Sequence, residues 1–553
     1  MNAIDTPPDT TPETHKKASA TQNDRESFSL DLQSNPRDQE HCKTPEASAV
    51  KDSDDGDAPQ RPHSAFTEGA KISTILMVSF IGLISPLSAS VYYPALDSIA
   101  TDLSVSITLV NLTITTYLIF QGLAPSLVAN FSDIRGRRPA YLICFAVYLG
   151  ANIGLALQSN YVALIILRCL QSSGSSGTVV LGSAVVADLS TRADRGKYLG
   201  YASLGIALGP AIGPILGGVL DRYLGWHSIF WFLVIFSGAM LLVMLIFLPE
   251  TSRVVVGDGS LPPPKYSISL ISYLQQRRQR RKGIPPRVDA MPKETPSGRS
   301  RRANPLATLS VAHDRAGFMI LLYAGLHYAG YFAVLSTLST ELAARYGLDS
   351  LQVGLCFLPI GIGAMASRIT VSIIIDRNFR RHARAAAAAA GEEELYESER
   401  QKRIDPKKIG DIERARLQVA IPAVYASCAL VIAYAWTMDK RTPLAVPLVL
   451  LFFCGNVFAG VTTALNVLVV DLNRHRPATA VAAINLFRCL LGAGATAAAK
   501  PLIEAIGLGW TGVLIAGVWA CASPVLWVVM FYGMIWRDRK GNEGEEGKTE
   551  SQV

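Results

Sequence analysis

Charge is what this chain has least of. Asp, Glu, Lys and Arg make up 17% of its 553 residues, against about 25% in an ordinary soluble protein. The shortage is uneven. Charges gather at 1–72, 251–315, 377–416 and 537–553, and long apolar stretches separate them. A membrane span takes roughly 20 apolar residues, and the chain has room for about twelve. That excludes a soluble enzyme with a single anchor. Cysteine is also scarce: seven of the eight (Cys144, Cys169, Cys356, Cys428, Cys454, Cys489, Cys521) fall in apolar stretches and only Cys42 in a tail. Their spacing suits neither a metal site nor a disulfide framework, so they read as small packing residues. No Ser-His-Asp set, metal-ligand cluster or phosphate loop is present, so no enzyme, cofactor or metal is expected. Residues 1–70 lack the apolar core of a cleavable signal. Rich in Ser, Thr, Pro, Asp and Glu, they read as a disordered cytosolic tail.

Against that scarcity stands one short charged link, Asp133-Ile134-Arg135-Gly136-Arg137-Arg138-Pro139. It joins the nearly uncharged 107–129 to the charge-free 140–159. One acid and three arginines in so short a link must face water, which fixes two spans and the side of their connection. The same reasoning predicts spans at 75–97, 107–129, 139–159, 161–187, 198–220, 227–249, 316–341, 352–376, 417–436, 443–471, 478–502 and 511–535. In lipid they must be helical, because no other open segment satisfies its backbone. The chain is therefore expected to be an all-α membrane protein of twelve transmembrane helices.

Sidedness follows from Lys and Arg. With the N-terminus inside, the inner links hold Arg135, Arg137 and Arg138; Arg192, Arg195 and Lys197; the loops 251–315 and 377–416; and Arg474 and Arg476. The outer links hold little beyond Arg222, Arg345, Lys440 and Arg441. Both termini are predicted to be cytosolic. The net charge of +8 thus reflects topology, and no nucleic-acid partner is expected. Even the run Arg277-Arg278-Gln279-Arg280-Arg281-Lys282, which resembles a nuclear signal, lies beside a span.

The expected organisation is a tail (1–72), a six-helix bundle (73–250), a linker (251–315), a second six-helix bundle (316–536, containing loop 377–416) and a tail (537–553). Two halves of six spans around a central loop is a plan of transporters built from repeats, with a site near the midplane. Asp133-Ile134-Arg135 after span 2 is echoed by Asp376-Arg377 after span 8. Part of 266–281 has two readings. It is a solvated basic linker, or its Ile268, Leu270, Ile271 and Leu274 lie along an anionic leaflet. The 383–401 stretch reads as a cytosolic helix without chemistry.

The charged link resembles the signature between spans 2 and 3 of the major facilitator superfamily, with Ala129 standing where that family has Gly. Leu167-Arg168-Cys169-Leu170-Gln171-Ser172-Ser173-Gly174 resembles its second signature. Residues 205–218 resemble its antiporter signature through Gly205, Gly209, Pro210, Gly213, Pro214, Gly217 and Gly218. Leu248-Pro249-Glu250-Thr251 ends span 6 as the family does. With Ser85-Pro86-Leu87, Tyr92-Tyr93-Pro94, Leu358-Pro359-Ile360-Gly361 and Asn485-Leu486-Phe487-Arg488-Cys489, the chain looks like the fungal twelve-spanner drug:proton antiporters, close to the quinidine-resistance group. The resemblance implies two pseudo-symmetric six-helix bundles and proton-driven export of small organic molecules, including drugs of multidrug resistance.

Particular residues then take expected roles. Asp133, Arg135, Gly136, Arg137, Arg138 and Asp188 form a candidate conformational latch. Asp188 is expected to pair with Arg135 or Arg138, and Asp133 with arginines of its own turn and the end of span 11. The alternative is topology anchoring. The span 5 glycines let backbones approach and its prolines favour a bend, which suits alternating access or plain packing. Arg168, Arg368 and Arg488 lie well inside spans, where a charge costs at least a few kcal/mol. No carboxylate stands mid-span, so an anionic substrate, with a carboxylate as the candidate, would supply the missing charge. Arg168 and His327 are candidates for proton coupling, His327 because histidine titrates near neutrality; a structural histidine is the alternative. Tyr117, Gln121, Tyr323, Tyr331, Asn456 and Asn485, with Arg368 and Arg488, are candidate lining of a substrate cavity. The expected partners are a small-molecule substrate, protons and the lipid bilayer, and the protein is expected to be a monomer at the plasma or the vacuolar membrane. Two further readings stand beside export: an uptake carrier for a small nutrient, and a non-transporting receptor or scaffold.

Overall fold

In the computed structural model the described residues are 66–190, 195–257, 263–281, 314–390, 412–473 and 477–550. Most of the expected N-terminal tail, most of the 251–315 linker, residues 391–411 of the second loop and the links at 191–194 and 474–476 lie outside them. Among the described residues twelve helices are long and apolar enough to cross a bilayer. They are α1 (Glu68–Ser90), α2 (Ile107–Arg135), α3 (Arg137–Leu157), α4 (Tyr161–Leu189), α5 (Arg195–Leu224), α6 (His227–Phe247), α7 (Arg315–Tyr346), α8 (Leu358–Ala390), α9 (Ile412–Asp439), α10 (Ala445–Leu472), α11 (Pro477–Ile506) and α12 (Leu508–Ala522), the last completing its span with the helix that follows from Pro524. An even number of crossings puts the two ends of this helical region on one face, the terminal face; the opposite one is the far face.

Local chemistry sets many of the ends. Ser106, Asn160 and Asp314 accept backbone N–H bonds at the starts of α2, α4 and α7, which removes orphan donors. Gly347 closes α7 in the left-handed conformation, where a side chain would be strained. Several ends differ from the sequence expectation: span 1 begins at Glu68 and breaks after Ser90 into short helices at Tyr93–Ala95 and Leu96–Asp102. Span 8 is broken at Phe357, with a separate helix Ser350–Cys356 before α8, and α8 continues through Arg377, Arg380 and Arg381 to Ala390. The second loop therefore begins well after residue 377, and it ends before residue 416, since α9 starts at Ile412. Ala and Arg are strong helix formers, so a helix leaving the membrane need not stop where the charges begin. Beyond a break at Ser523, the last span continues as Pro524–Glu550, so much of the expected C-terminal tail is helical.

The helix pairings repeat. In the first half α1 packs on α5, α2 on α4, α3 on α4 and α3 on α6. Adding six to each number gives the pairings of the second half: α7 on α11, α8 on α10, α9 on α10 and α9 on α12. The halves meet chiefly where α2 packs on α11 and α5 on α8 with its preceding helix. The buried apolar residues show how far that meeting extends. Toward the far face one continuous core runs through both halves, from Leu87, Tyr93 and Leu118 to Leu338, Phe357 and Ile503. Toward the terminal face there are two separate cores, one around Ile75, Tyr141 and Val185 and the other around Ile320, Leu417 and Leu465. The molecule is joined at the far face and divided toward the terminal face.

Candidate functional site

The charged link is built around Gly136, which ends α2 with φ of 107°. α3 starts at the next residue, and no side chain of the link caps it. The cap comes from Glu250, just past α6. One carboxylate oxygen accepts from the backbone N–H of Arg137 at 2.8 Å, and the other accepts from that of Arg138 at 3.3 Å. The same carboxylate accepts from the N–H groups of Thr251 and Ser252 and from the Ser267 hydroxyl. An anion at a helix N-terminus is favoured by the orphan N–H groups and the helix dipole. A Cβ on residue 136 would stand 2.5 Å from Glu250 Oε2, so glycine is needed there for space as well as for φ.

Arg137 then gathers the ends of three helices. Its Nε donates to Asp188 Oδ2 at 2.9 Å, at the end of α4, and its Nη1 donates to Ser132 Oγ at 2.8 Å and to Asp133, both in α2. Asp188 is thus bound by Arg137, where Arg135 or Arg138 was expected. Arg135 is exposed at the last residue of α2. Arg138 turns the other way and donates to the Leu245 carbonyl of α6 at 3.0 Å. Among the described residues Asp133 is bonded by Arg137 of its own turn and by no residue of α11; Arg474 and Arg476, just before α11, lie outside them. The second half carries a matching pair: Arg416 in the second turn of α9 donates to Asp471 at the end of α10 at 3.2 Å, as Arg137 of α3 does to Asp188 of α4. The echo is therefore made by Arg416 and Asp471, while Asp376 is exposed on the uninterrupted α8.

Inside the first half, Arg168 of α4 is buried between two aromatic faces. Its guanidinium carbon lies 4.1 Å from the ring centre of Tyr92 and 4.4 Å from that of Tyr117. Nη1 donates to Gln171 at 2.6 Å; Gln171 donates to Asn152 of α3, which donates to the Tyr148 carbonyl. Cation–π contact and charge-assisted bonds together offset the burial of this charge. In the second half, Arg488 of α11 lies 4.3 Å from the Tyr328 ring centre and donates to Asn485 at 3.0 Å. Asn485 in turn donates to the Gln121 carbonyl of α2 at 3.1 Å, across the two halves. Gln121, Asn485 and Arg488 are thus brought together, as are Tyr117 and Arg168. Asn456 donates to the Gly363 carbonyl of α8, and Tyr331 packs on Phe458.

His327 and Tyr323 sit elsewhere, inside the second half. The His327 ring lies 4.7 Å from Trp519 and 5.2 Å from Phe458, its Nε2 is 3.4 Å from Ser427 Oγ, and Tyr323 donates to the Trp519 carbonyl. Arg368 is exposed on α8, and among the described residues it has no ion-pair partner. It lies two turns from Gly361, on the same helical face. Gly361 touches the α5 backbone at Ala211. Arg368 follows that face toward the terminal side, where the two cores have parted.

The expected antiporter helix lies close against α1. A Cβ on Gly205, Gly209, Gly213 or Gly217 would collide with Ser79, Pro86, Ser90 or Val91 respectively. The Gly205 N–H also donates to Ser79 Oγ, and Ser90 Oγ donates to the Gly209 carbonyl. Toward the far face α5 meets the second half, with Gly218 against the Ser350 carbonyl and Pro214 against Gly354. Asp221 there accepts from Ser98 of the first half at 2.7 Å and from Ser350 of the second. Arg222 pairs with Asp349 at 3.4 Å, and Tyr93 stacks on Phe357. Sequence reasoning did not single out Asp221, Ser350 or the capping role of Glu250. It also passed over Lys500, which pairs with Glu341 at 3.1 Å. A charged residue inside an apolar span was the signal for Lys500; Asp221 gave none, since its partners lie more than a hundred residues away. Among the described residues no group of three or more His, Cys, Asp or Glu is placed to hold a metal ion.

The model of the Major Facilitator Superfamily matches residues 78–497. The MFS-type transporter R5 of a Phoma species is 43% identical over 91% of this chain and 93% of its own length. The MFS-type transporter clz19 of Cochliobolus lunatus is 44% identical over 86% and 88%, and Citrate exporter 1 of Aspergillus niger is 34% identical over 86% and 88%. Among solved structures the xylose transporter XylE of E. coli, in a partially occluded inward-open conformation, aligns over 82% of this chain and 97% of its own with a TM-score of 0.55 and 14% identity. The twelve helices and their six-and-six repeat agree with these matches: the chain belongs to the Major Facilitator Superfamily and is a multi-pass membrane transporter.

Proposed function

We propose that this transporter exports small organic acids, secreted metabolites or amphipathic drugs in exchange for protons, by alternating access. In this reading both termini are cytosolic, so the terminal face, where the halves are divided, opens to the cytosol and the far face is the closed outer seam. The observation that carries the reading is Arg368. A guanidinium inside a span needs an anion or water to offset its desolvation, and this one is exposed two turns along α8 from Gly361, where α8 touches α5. A substrate carboxylate entering from the cytosolic side would meet it, with a planar fork suited to two oxygens. Arg488, Asn485, Gln121, Tyr331 and Asn456 would line the deeper cavity. The name of the Aspergillus niger relative, a citrate exporter, supports an organic acid as cargo, and the glycine–proline helix α5 supports antiport.

Arg168 is the residue to which we assign coupling and gating. It ties α1, α2, α3 and α4 through Ser88, Tyr92, Tyr117 and Gln171, so a change at its site reaches four of the six helices of this half. His327 lies in an aromatic enclosure away from the meeting of the halves, which supports packing for it. The Asp133–Arg137–Asp188 set with Glu250 holds α2, α3, α4 and α6 together, so that the half can move as one body. The plasma membrane is the expected location, with the vacuolar membrane as the alternative that imaging of a tagged chain decides. Arg368→Ala should lower citrate efflux from cells by roughly tenfold or more, as expected for loss of one charge-assisted contact, while efflux of a neutral drug changes little. Equal loss of both would remove the anion argument.

A further inference from the structure

We infer that the linker helix Leu270–Arg281 is a membrane-surface element that docks on anionic lipid of the terminal-face leaflet. Three observations carry this. First, the segment is fixed at the membrane boundary: Ser267 donates its hydroxyl to Glu250, the carboxylate that caps α3, and the helix packs against the end of α6. It therefore starts at the level where α3 begins and α6 ends, with Ser269 accepting from the Ser272 N–H at its first turn.

Second, most of its apolar residues are left uncovered by the protein, although Ile268 and Ile271 are partly buried. Tyr266, Leu270, Tyr273 and Leu274 are each about half exposed, at 57, 50, 51 and 49%. On α6, against which the linker helix packs, Leu242, Leu245 and Phe247 are exposed too. Water cannot be what this strip faces at such cost when hydrocarbon lies beside it, and tyrosines favour the membrane–water boundary. Third, the charge is of one sign: four of the last five helical residues are arginines (Arg277, Arg278, Arg280, Arg281), and Lys282 follows. A cluster of this size beside a transmembrane helix is attracted to anionic headgroups, each basic residue adding roughly fivefold to binding. The apolar strip sets the depth of the helix and the basic end selects the lipid. This docking does not depend on what is transported.

The test uses the full chain in nanodiscs and amide hydrogen exchange over residues 266–281. Adding about a third of phosphatidylglycerol to phosphatidylcholine should slow exchange in this segment roughly fivefold or more, and high salt should reverse the change. Replacing Arg277, Arg278, Arg280 and Arg281 by Gln should abolish the lipid dependence, while L274D should raise exchange in both lipids. Unchanged exchange of the α6 amides shows in each case that the fold is intact. Equal exchange in the two lipids, or an unaltered response in the four-Gln variant, would overturn the inference. So would protection by a soluble polyanion with no response to lipid charge.

Discussion

Gly136 is held by two independent constraints, its φ and the carboxylate of Glu250. Alanine would have to adopt a backbone region almost confined to glycine, at a cost of about 1–3 kcal/mol, and would also crowd the cap of α3. Gly136→Ala is therefore expected to lower the midpoint of thermal unfolding in detergent by several degrees, whereas Ala at the unconstrained Gly150, which has open space around it, should be neutral or mildly stabilising. Equal effects would contradict the geometry. At this scale the sequence was partly legible. Four charges in seven residues announced a cluster, but which arginine faces Asp188 depends on the direction in which Gly136 launches α3. No local pattern states that direction. The burial of Arg168 between Tyr92 and Tyr117 was equally out of reach, because the three residues come from different stretches of chain.

The elements that matter most are α5 and the two helices it touches. Its glycines face α1 through most of the span and face the second half only at Gly218 and, on the partner side, at Gly354 and Gly361. A methyl group on Gly218 would collide with the Ser350 carbonyl beside the Asp221 bond, so Gly218→Ala should weaken the far-face seam more than the fold. Spin labels at Tyr223 and Ala344, exposed on opposite halves of that face, should show a longer-distance population grow in this variant. An unchanged distance distribution would mean that the seam does not depend on this contact. All twelve spans were readable from apolar length. The breaks at Phe357 and Ser523 and the extension of α8 were not, since a proline-flanked bend and an Ala-Arg run both remain compatible with helix.

For the whole molecule, the six-and-six plan was legible because charge is excluded from spans and allowed in links. The closed seam was not: Asp221, Ser350 and the single far-face core arise only when distant helices meet. That arrangement, joined at one face and divided at the other, gives the interior arginines of the proposed exporter a side from which cargo enters. In the proposed exporter an organic anion moves in exchange for protons. Purified protein in liposomes loaded at acid pH and diluted into a neutral buffer containing labelled citrate tests it most directly. Outward proton flow should drive citrate inward several-fold above the level at equal pH, a protonophore should abolish the difference, and Arg368→Ala should remove most of it. Citrate accumulation that ignores the pH gradient, or that rises when the gradient is reversed, would contradict the account.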